Sequence, residues 1–212
     1  MKLSESQRES LKAAVSRYHA SLPGSVAEKY LDERGLTGFE GIDRFRLGYV
    51  EDPLPEHEAH RGKLAIPYLR WHPRHGWSCV SIRFRSLDGS EPKYATMAGD
   101  KPRLFNTQAL NAPGSEVGIA EGELDAITAT LAGLPTVGIP GANIWQPYWD
   151  TVFQGYRRVH VLTDGDKPGE NMGRTIASRL PNARIVPCPE GEDVNSVYTS
   201  RGADDLVRMW SE

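Results

Sequence analysis

Apolar positions near the amino end recur at helical spacing. Leu11, Ala14, Val15 and Tyr18 share one face, which predicts a helix from about Ser4 to Ala20. Leu22-Pro23-Gly24 stops it. Ser25, with Glu28 three residues on, has the form of a capping box, so a second helix should start there and end at Gly35. The first fifty residues thus read as a small helical subdomain. Residues 51–61, rich in proline and charge, are expected to form an exposed loop. The pattern then changes to a period of two. Leu64 to Leu69 and Ser78 to Arg85 are predicted strands, the second sending Val80, Ile82 and Phe84 to one face and Ser81, Arg83 and Arg85 to the other. His75-Gly76 and Asp88-Gly89 supply turns.

After Glu116 short apolar runs alternate with helical stretches. The predicted order is strand 117–120, helix 123–132, strand 135–139, helix 145–153, strand 158–163, helix 169–180 and strand 183–187. Such alternation argues for a parallel sheet built from βαβ units. The fold class is therefore α/β, with a mixed α+β lobe over residues 1–112 and a parallel-sheet domain over 113–212. In parallel sheets ligands collect beyond the carboxyl ends of strands.

Those ends carry acids. Val159 to Gly169 reads VHVLTDGDKPG, an apolar run that stops at Asp164 and Asp166. Val117-Gly118-Ile119-Ala120 stops at Glu121, with Asp125 four residues later, and Asp193 is a further candidate. Oxygen donors without neighbouring His or Cys favour magnesium or manganese over zinc, and magnesium is commonly held by one or two carboxylates plus substrate phosphates. Gly165 and Gly169 are expected to let the backbone turn tightly, so that both aspartates aim at one point. By itself the DGD segment is as readily a polar turn after a buried strand. Glu121 at a second strand end favours the metal.

The rest of the composition is ordinary. The chain has 212 residues, 39% hydrophobic and 25% charged, with a formal charge of -3, so a nucleic-acid partner would have to meet a local basic patch. Its two cysteines, Cys79 and Cys188, cannot form a zinc site alone and are expected to be buried free thiols. The polar amino end and the lack of any long apolar stretch make a cytoplasmic protein the expectation.

Glu121-Gly122-x-x-Asp125 after one strand and Asp164-Gly165-Asp166 after another resemble the Toprim domain of primases, topoisomerases and certain nucleases. Finer matches point to the bacterial-type (DnaG-like) primases. Ala27-x-x-Tyr30-Leu31-x-x-Arg34-Gly35-Leu36, then Ile42 to Tyr49, resemble the opening of that family's RNA-polymerase domain; Pro92-Lys93-Tyr94 and Gly191-Glu192-Asp193-Val194-Asn195 resemble two later segments. The likeness runs from about residue 10 to residue 200. It implies a catalytic core that makes short RNA primers from NTPs on a single-stranded DNA template, with two or more Mg²⁺ or Mn²⁺ ions. Glu121 would be the catalytic glutamate supported by Asp125, and Asp164, Asp166 and Asp193 would hold metal, with Glu121 beside them. Asn195 stands where the family usually has another acid.

The same resemblance directs Arg83, Arg85 and Lys93 toward template or triphosphate. Arg44 and Arg46 are weaker candidates, equally explained as a surface pair around a core Phe45, and Lys101 and Arg103 are weaker still. Trp145, Tyr148 and Trp149 are expected to pack on the sheet, and His57, His60, His72 and His75 to be exposed. The loop Gly138 to Asn143 should lie near the site. The family's zinc ribbon needs a Cys/His quartet that this chain lacks. That implies either an isolated core or a compact, phage-encoded type of primase working with a separate zinc-binding domain or protein and a replicative helicase, with weak template recognition of its own. The alternatives are a Toprim nuclease using the same metals and a non-catalytic replisome module.

Overall fold

The computed structural model describes residues 3–74 and 76–211, with Phe39 through its backbone alone. Met1, Lys2, Glu212 and His75, the last expected in an exposed turn, lie outside the described residues. The chain divides into two compact units, Met1–Lys101 and Pro102–Glu212.

The first unit opens with α1 (Glu5–Ala20) and α2 (Val26–Asp32). Ser4 caps α1 in a full capping box: its hydroxyl accepts from Gln7 N at 3.1 Å and the Gln7 amide oxygen accepts from Ser4 N at 2.9 Å. Ser25 caps α2 as expected, accepting from Glu28 N at 3.2 Å, but Glu28 reaches one residue further back, to Gly24 N at 2.7 Å. The box is therefore offset, because Gly24 presents its N–H where Ser25 would have. A four-stranded antiparallel sheet follows, ordered β1 (Gly48–Tyr49), β2 (Leu64–His72), β3 (Gly76–Arg85) and β4 (Tyr94–Thr96). Ala14, Val15 and Tyr18 of α1 pack with Ala65, Ile82 and Phe84 to form its core.

Two expectations about this unit fail for definable reasons. Tyr68 pairs with Ser81 but Leu69 pairs with Cys79, so Val80 is an inserted residue. This bulge resets the alternation: Cys79 joins Ile82 and Phe84 in the core cluster and Val80 does not. The segment 51–61 is also less exposed than its composition suggests. The Tyr18 hydroxyl lies 2.7 Å from His57 Nδ1, and His60 stacks on Phe84 with ring centroids 3.9 Å apart. His57 and His60 are thus buried lids on the core, and burial depresses both pKa values. Among these histidines His72 is exposed as expected.

The second unit is a four-stranded parallel sheet, ordered β6 (Thr136–Ile139), β5 (Glu116–Glu121), β7 (Arg158–Thr163) and β8 (Ala183–Pro187). The helices are α3 (Glu123–Leu131), α4 (Asp150–Phe153), α5 (Lys167–Arg179), α6 (Val194–Arg201) and α7 (Ala203–Ser211). Alternate residues Val117, Ile119, Val159 and Val161 pack with Met172 and Ile176 of α5. The chain goes from β5 outward to β6, then returns past β5 to β7. That reversal between β5 and β7 is where open parallel sheets form a crevice.

The division between units falls ahead of residue 112, the boundary expected from the sequence. Phe105 N donates to Gly138 O at 2.8 Å, and Leu104 and Ala109 belong to the core of the parallel sheet. Residues 102–112 therefore go with the second unit. Both cysteines are buried and free. Among the described residues no helix is long and apolar enough to cross a membrane.

Candidate active site

The β5–β7 reversal carries the acids. Ala120 of β5 is in register with Leu162 of β7, so Glu121, the last residue of β5, and Asp164, directly after β7, emerge at one edge of the sheet. Asp125 lies in the first turn of α3. Asp166 caps α5, accepting from Gly169 N at 2.8 Å, and Asp193 caps α6, accepting from Ser196 N at 2.6 Å. Each cap satisfies an otherwise orphaned helix N–H and also fixes where its carboxylate sits.

The two acid-bearing loops are joined through their backbones. Gly165 N donates to Glu192 O at 2.8 Å, Gly191 N to Gly165 O at 2.9 Å, and Cys188 N to Thr163 O at 2.8 Å. A side chain on Gly165 would overlap the Pro189 carbonyl oxygen, and one on Gly169 would collide with the Asp164 backbone. Neither glycine has a positive φ. Glycine is required here by close approach and not, as the sequence suggested, by a sharp turn.

The electrostatics single out Asp164. Its carboxyl is pushed up to about 8, first by burial, then by repulsion from Asp125, Glu121, Asp193 and Asp166 in decreasing order. Its Oδ1 is buried with no hydrogen-bond partner among the described residues. The acids from four separate segments therefore act on one point. Glu121 Oε1 accepts from Ala142 N at 3.1 Å, which ties the end of β5 to the glycine-bearing loop 138–143. Asp125 Oδ1 accepts from Asn195 N at 3.0 Å. Asn195, 2% exposed, donates from its side chain to Thr128 Oγ1 at 2.9 Å, so the neutral amide docks α6 on α3.

Two further groups, Cys188 and Glu192, border this cluster and escaped the sequence reading as site candidates, and Glu123 lies on the same helix turn as Asp125. Cys188 is buried beside it, its thiol pushed up by burial and by the carboxylates of Asp164, Asp125, Asp193 and Glu192. Glu192 is ion-paired with Arg201 through one oxygen and buries the other. Glu123 is fully buried in the first turn of α3. Adjacency to Asp193 was the available signal for Glu192; for Cys188 and Glu123 the sequence offered none. Among the described residues no group of three or more His, Cys, Asp or Glu forms a ready-made metal cage.

The cationic candidates lie in the first unit. The Arg83 guanidinium sits 4.3 Å from the centre of the Tyr94 ring. Arg85 does not project into solvent: it is 8% exposed, between Tyr30 and Tyr94 at 5.2 and 4.9 Å, and donates to the Tyr94 hydroxyl. The face opposite Ile82 and Phe84 is thus covered by tyrosines. Lys93 and Lys101 are exposed, and Arg103 is half-buried. Arg44 pairs with Glu40 at 3.0 Å beside the buried Phe45, and Arg46 holds a left-handed φ of 54°. In the second unit Trp149 is buried and Trp145 packs edge-on to it, whereas Tyr148 stays 63% exposed. Tyr148 leaves the sheet because the short turn Pro147–Trp149 points its middle residue outward.

No protein-family model matches the chain. Over 148 residues it is 57% identical to the Gene 57 protein of Mycobacterium phage D29, covering 70% of this chain and 97% of that protein. Among solved structures it resembles the RNA polymerase domain of Mycobacterium tuberculosis primase DnaG, with a TM-score of 0.76, 18% identity, and coverage of 96% of this chain and 82% of that one. The DnaG primase catalytic domain bound to ssDNA superposes with a TM-score of 0.74, 19% identity, and coverage of 95% and 79%. The Aquifex aeolicus primase, zinc-binding and RNA polymerase domains, gives 0.79 at 19% identity, covering 98% of this chain and 61% of that one. The chain belongs to the family of the mycobacteriophage Gene 57 protein, and its fold is that of the DnaG primase catalytic core.

Proposed function

We propose that this chain is the catalytic core of a DnaG-like primase, joining NTPs into short RNA primers on single-stranded DNA. The observation that carries the reading is that four carboxylates, Glu121, Asp125, Asp166 and Asp193, act on Asp164, whose Oδ1 is buried, within a fold of that kind. Crowded carboxylates that repel one another around a half-buried aspartate call for a cation, and an oxygen-only donor set fits Mg²⁺ or Mn²⁺. The modest number of donors suits an ion that keeps water and takes substrate phosphate oxygens. Asp164, Asp166 and Asp193, with Glu121 beside them, are the residues that would hold it. Bound there, such ions neutralise triphosphate charge and favour ionisation of the attacking hydroxyl.

The chain's own contribution is positioning. Glu121, fixed by Ala142 N, presents a carboxylate at the strand end for the primer hydroxyl, and Asp125 locks α6 and with it Asp193. Lys93 and Arg83 are the cations best suited to template or triphosphate phosphates, since Arg85 is committed to tyrosines and Arg44 to Glu40. Arg46 is a further phosphate candidate.

Primer synthesis tests the proposal: labelled NTPs, single-stranded DNA and Mg²⁺ or Mn²⁺, with degradation of the DNA scored in the same reactions. The wild type should yield short labelled RNA. Asp164→Asn/Asp166→Asn should reduce it by about a thousandfold or more. Asn keeps the cap of α5, so the loss would not come from unfolding. DNA degradation without RNA synthesis would establish the nuclease alternative, and an unimpaired double variant would rule out a metal site.

A further inference from the structure

The hairpin joining β2 to β3 exposes two tryptophans that the fold does not need. Trp71 and Trp77 are direct partners across the ribbon, so both indoles rise from the same side of it. They are 48% and 59% exposed. Arg70 precedes Trp71, and Arg74 is exposed at the turn. The charge along this stretch of the sequence is one-sided. From Ala59 to Leu87 there is no acidic residue, while Arg61, Lys63, Arg70, Arg74, Arg83 and Arg85 all fall in this stretch of a chain whose net charge is -3.

We propose that this hairpin is a binding element for single-stranded nucleic acid, with bases stacking on Trp71 and Trp77 and phosphates meeting Arg74 at the turn. Indoles interleaved with guanidinium groups are what a polyanion with exposed π-faces matches. A duplex would offer the arginines its phosphates but keep its bases from the indoles. A membrane surface wants a continuous apolar side, and here His72, Pro73 and Arg74 interrupt it. The hairpin belongs to the first unit, and the inference does not rest on the chemistry of the acidic cluster in the second.

The test is fluorescence anisotropy with a labelled oligodeoxythymidylate of roughly 20 nucleotides, in chelator and without NTPs. Trp71→Ala/Trp77→Ala should weaken binding by about tenfold or more, while Trp71→Phe/Trp77→Phe should keep most of it, because a benzyl ring still stacks. Arg74→Ala should lower the salt slope of log K by roughly 0.7. Oligonucleotide should also quench the wild type's tryptophan emission, and a duplex of equal length or anionic vesicles should not. Equal binding by the double alanine variant, an equal loss in the phenylalanine variant, or quenching by vesicles and not by oligonucleotide would each overturn the proposal. Because the assay omits metal and NTPs, it is separable from the primase reading. Stacking without primer synthesis keeps this inference and defeats that reading; primer synthesis with indole-independent binding does the reverse.

Discussion

β5 begins and ends with a glutamate, and the two ends of the sheet treat their carboxylates in opposite ways. At the amino edge Glu116 takes a hydrogen bond from His160 at 2.8 Å and pairs with Arg157, and these partners hold its carboxyl below the usual range, the His160 bond most of all. At the carboxyl edge Glu121, Asp125, Asp166 and Asp193 each accept from a backbone N–H, and with burial they push Asp164 up to about 8. One edge pairs its carboxylate with cations of the chain; the other gathers carboxylates that repel one another. Arg85 of the antiparallel unit, stacked on Tyr30 and Tyr94, resembles the first case, since its charge is already matched by aromatic faces. Charge that the chain itself satisfies supports the fold, and charge it leaves in conflict marks the work.

The contrast can be broken most forcefully at Gly165. Gly165→Ala should destabilise the protein by roughly 3 kcal/mol, because the Pro189 carbonyl has nowhere to go. Urea unfolding measures this, and a cost under about 0.5 kcal/mol would mean that the two loops are not closely apposed.

A smaller effect separates the edges by pH. The folded chain holds a proton on Asp164 up to about 8, against about 4 for an unfolded aspartate, so this stabilisation is complete below pH 4 and is lost as pH rises toward 8. Metal-free protein should therefore melt about 5 °C lower at pH 8 than at pH 6. Mn²⁺ should raise the melting temperature more at pH 8 than at pH 6, and Asp164→Asn should flatten both responses. A wild-type profile that is level between pH 6 and 8 would contradict the buried-acid picture.

The smallest effect belongs to the amino edge. Glu116→Gln should cost about 1 kcal/mol near neutral pH. Because the folded pKa of Glu116 is lowered, that stabilisation is present above its ordinary value and fades as pH falls. Denaturant melts at pH 7 and pH 3.5 check it, and primer synthesis should be unchanged. A Glu116→Gln variant that lost its response to Mn²⁺ would show that the two edges are not independent.

Much of this contrast was legible in the sequence, for a physical reason. A parallel strand buried on both faces is an uninterrupted apolar run, so the residue that ends it stands out; Glu121 and Asp164 announce themselves in that way. Asp166 and Asp193 were visible as acids but not as helix caps, because the predicted helix starts at 169, past Asp166, and none is predicted after Asp193, whereas α5 and α6 start directly behind these residues. The antiparallel unit was harder to read. One inserted residue, Val80, reverses which neighbours point inward, and a pattern of period two cannot register it. His57 and His60 looked like loop residues because the partners that bury them, Tyr18 and Phe84, are far away in sequence. Arg85 looked solvated until Tyr30, from a helix, was found over it. Asn195 looked like a missing ligand, and its amide proved to be a strut between α6 and α3.

The backbone bonds that join Thr163 and Gly165 to Cys188, Gly191 and Glu192 set the spacing of the carboxylates around them. Asp164 and Asp166 stand on one side of this clasp and Asp193 on the other, so their separations are inherited from peptide geometry and do not adapt to an occupant. A cation of different radius would have to adjust through its shell of water, since the frame around it is already closed. For the proposed cation, discrimination between ions would then be a question of how readily each gives up water, decided by hydration chemistry more than by the reach of side chains.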